Sequence, residues 1–499
     1  MEEYAIIFKL YNISVRKGAI KVKKIIAVLL SVLMICTSFF TVVGFAEEQE
    51  MNYDTPIIVV RGMAFMGLTI NEGTPAERKS VVLPDTDTIV SLVIDLAKTY
   101  FMEKRLDVDA IVDVADTAIG SLACDKNGDS IYNASYTKYP YSAAVHHNLY
   151  EDGGSGEWGV VTAAIDKYGA DKVYFFTYDW RLDPSDTADD LAVMIERAKT
   201  EHNSDKVDIV CCSMGGVITD CYIYEYGTDS LDTVIFDSTA FCGTHLTTDL
   251  FQGKVLITAE MLKYFLGDLL GNELITNILY SVGVLDMVAD FAMKIVDEYK
   301  DEIYEKFLRD VFATMPIMWA IAQQDEYEAC VEYMFPTDEL KAEYAGLLKR
   351  TDNLHEIMSG MDELLLSLPE KGVKVAVLAG YNAQMPPVYA SAMVSGDTIL
   401  ESDFMLGRAV VADLGSTLGD DYTGERVSPD KCVDLSGVLF PEYTWAIRNG
   451  SHIIGTHGTN SADLVMAILG SEVQPTVTTF AQFPQFMVAD EDQNLFTFE

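Results

Sequence analysis

Five short runs built almost wholly from apolar residues set the first limit on how this chain can fold. They are PIIVVRG (56–62), KVYFFTYDW (172–180), VDIVCCS (207–213), LDTVIFDS (231–238) and VKVAVLAGY (373–381). A strand with one wet face alternates apolar and polar residues, whereas a near-continuous apolar strand needs cover on both faces. Helical spacing separates the runs. The pattern predicts an α/β protein whose central sheet is mostly parallel. At 499 residues, 49% hydrophobic, the chain has ample material for such a core.

The third run continues as VDIVCCSMGGVITDCYIYEYG (207–227), an apolar strand that breaks at a turn and resumes with helical spacing up to Gly227. A nucleophile elbow has this form: the central residue of a sharp strand-to-helix turn is strained and pushed into the open. The residues two before and two after it come into close contact and must be small. Centred on Ser213 they are Cys211 and Gly215; centred on Cys212 they are Val210 and Met214, which are too bulky. Ser213 is therefore the expected nucleophile.

A serine nucleophile needs a histidine base, and the base needs an orienting carboxylate. When they follow in the order Ser, Asp, His, the base lies near the C-terminus. His452 directly follows an Asn-Gly-Ser turn and precedes a helical segment from Ser461 to Leu469; His457 is the alternative. His355 sits in a helical stretch and reads as an ordinary polar residue, and His245 follows the fourth run too closely. The loop after the fifth run supplies Asp397, with Asp403 as the alternative. Two backbone N–H groups must face a developing oxyanion. Those of Met214, after the nucleophile, and Met63, after Gly62 at the end of the first run, are the candidates.

Between residues 248 and 368 the strand signal disappears, and the segment reads as helical and rich in Leu, Met, Ile and aromatics. It divides the chain into a leader (1–46), a first core part (47–247), a helical cap or lid (248–368) and a second core part (369–499). The leader has a basic stretch, an apolar stretch from Ile25 to Val43, and Gly44 and Ala46 before an acidic start. That is the form of a secretory signal peptide cleaved after Ala46, with an uncleaved anchor as the alternative. The expected location is secreted or extracytoplasmic.

The formal charge of −42 excludes attraction to nucleic acid or anionic headgroups, so any contact with lipid must be hydrophobic. Beyond the leader's Cys36, seven cysteines remain, with no disulfide framework and no C-x-x-C pair. No metal site stands out; DKNGDS (125–130) has calcium-loop residue types, but Gly128 falls at the wrong offset and a plain turn is expected.

Several segments together resemble the lecithin:cholesterol acyltransferase-like family of α/β-hydrolases. YDWR (178–181), CSMGG (212–216), TAFCGTH (239–245), TMPIMW (314–319), SGDTI (395–399) and the SHIIGTH histidine region (451–457) follow the order of that family's motifs, from about Pro56 to Gly470. Cys211 and Cys212 stand where the family has a small residue and a histidine, and Arg61 where it has proline. The resemblance implies an α/β-hydrolase fold with a helical cap, and a lipase, esterase or acyltransferase working through a Ser213 acyl-enzyme without a cofactor. The implied substrate is a lipid or small ester, met through transient contact of the cap with a lipid interface. The competing expectation is a lipid- or glycan-binding protein that has the fold without the chemistry.

Overall fold

The computed structural model describes residues 51–63, 67–81, 99, 100, 102, 105–146, 158–270, 273–456 and 459–498. The leader (1–46) and His457 lie outside the described residues. One compact unit spans Asn52–Glu499.

Its centre is an eight-stranded sheet. In chain order the strands are β1 (Ile57–Val60), β2 (Val173–Phe176), β3 (Val207–Cys212), β4 (Leu231–Asp237), β5 (Lys374–Tyr381), β6 (Thr444–Arg448), β7 (Phe486–Ala489) and β8 (Leu495–Thr497). In space they run β8-β7-β6-β5-β4-β3-β1-β2. All neighbouring pairs are parallel except β7 with β8. The five apolar runs thus form β1 to β5, side by side.

Period-two alternation along these strands sorts the core into two layers. Val207, Ile209 and Cys211 point into one cluster with Ile58, Val60, Tyr174 and Phe236. Val210 and Cys212 point into the other with Ile57, Val59, Phe175 and Ile235. The second layer is covered by helices α1 (Trp158–Tyr168) and α7 (Thr459–Leu469), the first by α2 (Pro184–His202) and α3 (Gly215–Tyr226). Each fully buried Val, Ile or Phe contributes about 1.5–3 kcal/mol.

The helices carry their own stop and start signals. Asp183 caps α2 by accepting from Ser185 N at 3.0 Å, Pro184 opens it, and Asn203 ends it in a left-handed conformation (φ 49°). Helix α3 is buried all round from Gly215 to Ile223, as a central helix must be, and stops at Gly227 (φ 75°).

From 248 to 368 the described residues contain helices and no strand of the central sheet. The stretch is not uniform. Val311, Met315, Ile317, Leu354, Ile357 and Leu365 belong to the same buried cluster as the sheet, so the later part is a fixed component of the core. The earlier part forms α4 (Ala259–Leu270), α5 (Glu273–Ser281) and α6 (Val284–Ile303). Here Leu274, Ile278, Val282 and Met287 are more than half exposed. Among the described residues no helix is long and apolar enough to cross a membrane.

The YDWR segment is a buried anchor. Arg181 is fully buried and makes a bidentate pair with Asp179 (2.9 and 2.7 Å), with further donors on the Ser121 and Leu122 carbonyls and Ser130 Oγ. Every guanidinium nitrogen has an acceptor, which makes a charge in this position tolerable.

A buried carboxyl makes stability depend on pH. Asp208 on β3 is 2% exposed and accepts from Tyr168 OH at 3.0 Å. Burial pushes its carboxyl from 3.8 up to about 7. The folded protein therefore holds this proton more tightly than the unfolded chain. Its contribution is fully present below about pH 4 and is lost as pH rises towards 7. Asp208→Asn removes the titration, so its stability relative to wild type is expected to rise by up to roughly 4 kcal/mol between those limits. Chemical denaturation of both proteins from pH 4 to 8 checks this; a constant difference would contradict it.

Candidate active site

The chain enters the sheet at β1, adds β2 on one side, then crosses to β3 on the other and continues outward in that direction. Where the winding reverses, the loops beyond the carboxyl ends of adjacent strands part and leave a crevice. By that rule the crevice is expected between the loop after β1, which carries Gly62 and Met63, and the turn after β3, which carries Ser213.

Ser213 has φ 51°, outside the region a residue with a side chain ordinarily occupies. Its N–H donates to the Asp237 carbonyl at 3.0 Å, and its carbonyl accepts from Gly216 N at 3.0 Å. These bonds hold the turn in its strained form. Gly215 is required by close approach: a Cβ there would lie 2.6 and 2.7 Å from the Val60 and Arg61 carbonyl oxygens. The end of β1 is thus pressed against the first turn of α3, which brings the Met63 loop up to the Ser213–Met214 turn. Met63 is 39% exposed and Met214 is buried.

The two cysteines beside the serine are core residues. Cys211 and Cys212 are fully buried on opposite faces of β3, and burial pushes the Cys211 thiol well above its ordinary range. A buried neutral thiol is a poor nucleophile.

Strain recurs along this edge of the sheet. The first residues beyond β3, β4, β5 and β6 are Ser213, Ser238, Asn382 and Asn449, and all four have positive φ. So do Thr398 (φ 83°) and Ile453 (φ 54°), which directly follow Asp397 and His452. A β-branched residue in this region costs of order 1–3 kcal/mol and marks a backbone held there by its surroundings.

Asp397 and His452 meet. His452 Nδ1 lies 2.7 Å from Asp397 Oδ2. A carboxylate only accepts, so Nδ1 carries the proton and Nε2 is the basic nitrogen of the ring. Asp397 is fully buried, and its Oδ1 accepts from Ile399 N (3.0 Å) and Leu400 N (2.9 Å), which fixes the carboxylate plane. The loops bearing the pair are locked together at their roots, since a Cβ on Gly380 would lie 2.0 Å from the Gly450 carbonyl.

Asp403 is engaged elsewhere. It takes His245 Nε2 at 3.0 Å, while Gln323 Nε2 meets His245 Nδ1 at 2.7 Å. Both nitrogens of His245 are therefore committed within a buried polar cluster that also holds Glu401, Thr244 and Tyr389. Burial alone would lower the His245 pKa, but the bond to Asp403 and the surrounding carboxylates raise it.

One residue with a positioning role is not apparent from the sequence. Asp237, fully buried at the end of β4, receives Ser213 N on its carbonyl and Gly455 N on its Oδ1 at 3.1 Å. It ties the serine turn to the histidine loop. The available signal was a carboxyl ending a buried strand, in VIFDS.

Two cavities lie along this edge of the sheet, neither of them lined by Ser213, Asp397 or His452 themselves. An apolar one of about 260 Å³ is lined by Met63, Trp180, Leu246, Phe251, Tyr304 and Phe312 among others. A polar cleft of about 650 Å³ opens beside Thr398 and Ser451, the chain neighbours of Asp397 and His452. Among the described residues no group of three or more His, Cys, Asp or Glu is arranged to hold a metal ion.

The chain matches no known protein-family model, and no curated protein is similar to it in sequence. The fold and site geometry define the class as far as it is shown: a mixed α/β protein with a large, mostly parallel central sheet.

Proposed function

We propose that this protein is a secreted serine hydrolase of the α/β-hydrolase type, acting on carboxylic esters of lipids through Ser213, His452 and Asp397. The observation that carries the reading is the 2.7 Å His452–Asp397 bond on the same sheet edge where Ser213 is held in a strained turn.

In this reading Ser213 Oγ attacks the ester carbonyl carbon as His452 Nε2 takes its proton. The C–O bond to the alcohol then breaks, and His452 returns the proton to the departing oxygen, leaving an acyl-enzyme. Water, or an acceptor alcohol in the acyltransferase case, attacks that ester with the same base. Asp397 keeps the imidazole in one tautomer and stabilises its protonated form. The N–H groups of Met63 and Met214 face the oxyanion, each worth about 2.7–4 kcal/mol of barrier. The apolar cavity beside Met63 takes the acyl chain.

The exposed apolar side chains of α5 and the start of α6 suit contact with a lipid interface. With a net charge of −42 this contact is hydrophobic, so added salt leaves it intact. Moving such a segment against water costs about 25 cal/mol per Å² of apolar surface exposed, a cost that an interface removes. Hydrolysis of a short-chain ester, followed through its solubility limit, is expected to rise sharply where aggregates form. Saturation without a break would assign α4–α6 to a fixed cap and the enzyme to soluble esters; no turnover in either regime would count against the hydrolase reading.

A further inference from the structure

The polar cleft is formed between the cap and the sheet edge. Lys263, Tyr264, Thr276 and Asn277 reach it from α4 and α5, and Asn382, Gln384, Asn449 and Ser451 from the loops after β5 and β6. Helix α5 therefore turns Thr276 and Asn277 to the cleft while Leu274 and Ile278 are exposed to solvent. That is the reverse of a helix laid on an apolar core.

The lining has a definite chemistry. Five residues with amide side chains line the cleft (Asn277, Asn382, Gln384, Asn449 and Gln493), Asn382 and Asn449 bonded to each other and Gln493 accepting from Ser451 N, together with Tyr264, Thr276, Thr398 and Ser451. Among the described residues no carboxylate lines it, in a chain with 77 acidic residues. A cationic ligand is thus unsupported. Lys263, the one cation in the lining among the described residues, lies over the Tyr264 ring at 3.9 Å, so no pair of cations is there to hold a phosphate. Amides donate and accept at once, and so do hydroxyl groups; the two are complementary.

Two residues of the lining carry a buried polar atom without a partner among the described residues. Gln384 is 7% exposed, and its Nε2 is held by the Met385 and Ala392 carbonyls (2.7 and 3.1 Å), which fixes the amide orientation. Its Oε1 has no partner among the described residues, and neither has Ser451 Oγ. An unsatisfied buried acceptor costs about 1–3 kcal/mol unless something donates to it.

We propose that this cleft binds a neutral polyhydroxylated group, the alcohol part of the ester, while the acyl chain lies in the apolar cavity beside Met63. The inference rests on the ester-hydrolase reading of the site. It predicts preference for esters of a sugar or glycerol over esters of a simple alcohol with the same acid.

Binding tests it without needing turnover. Calorimetry with Ser213→Ala protein and three probes (glucose 6-octanoate, 1-octanoylglycerol and methyl octanoate) is expected to show at least tenfold tighter binding of a hydroxylated ester than of the methyl ester. Whichever of the two is tighter names the alcohol. The preference should collapse in Gln384→Leu and in Asn277→Leu, the latter at an exposed position where folding is safe. Equal binding of all three probes, or a preference untouched by both substitutions, would overturn the assignment. If the preference is present but the wild-type protein hydrolyses none of the three, the cleft assignment stands and the catalytic reading fails.

Discussion

Ester turnover is expected to fall by roughly a million-fold when Ser213 is replaced by alanine, the scale seen when a serine hydrolase loses its nucleophile. No neighbouring group can substitute for it. Cys211 and Cys212 alternate into the two faces of the core, so neither thiol reaches the crevice. Cys212→Ala should accordingly leave turnover within a fewfold of wild type and act on stability alone, by removing a buried sulfur from a packed layer. Kinetics of the two purified variants on one soluble ester separate the possibilities. A dead cysteine variant beside an active serine variant would relocate the nucleophile by one residue.

The second large effect is at the carboxylate. Asp397→Asn is expected to cost about four orders of magnitude in kcat, because an amide at this position no longer fixes the imidazole tautomer with Nδ1 protonated. Asp397 Oδ1 also receives two backbone N–H groups, so the loop 397–400 keeps most of its geometry if the asparagine oxygen takes their place. The fold should therefore survive the change, and a thermal melt alongside the kinetics establishes that. Asp403→Asn provides the comparison. Its partner is His245, whose second nitrogen is already occupied by Gln323, and its expected effect on kcat is below tenfold. Equal losses in the two variants would mean that the two His–Asp pairs act together.

Much of this arrangement was legible in the sequence for a physical reason. Strands covered on both faces are apolar almost throughout, and β1 to β5 announce themselves accordingly. The strained turn at Ser213 was legible because an apolar strand gives way there to small residues and then helical spacing, although what crowds Gly215 is the end of β1 and not Cys211. The strand β6, TWAIR, was not singled out: Thr444 and Arg448 cut its apolar run to three residues, and its neighbours in the chain are turns rather than helices. Asp237 was passed over for a different cause. Its role comes from hydrogen bonds to residues 213 and 455, far apart in sequence, and no local pattern encodes them. The helical stretch 248–368 read as one unit because helical periodicity reports that a face is buried, not what buries it. Only packing separates the part set into the core from α4–α6.

The central claim is that Ser213 is activated and not merely strained. A fluorophosphonate probe reacts with a serine whose proton a nearby base removes, and an idle serine is inert to it. Incubation of the purified protein with the probe, followed by peptide mass spectrometry, is expected to place one adduct on Ser213 and to show its loss in His452→Ala. No adduct on Ser213 in the folded wild-type protein, or labelling unchanged in His452→Ala, would contradict the account.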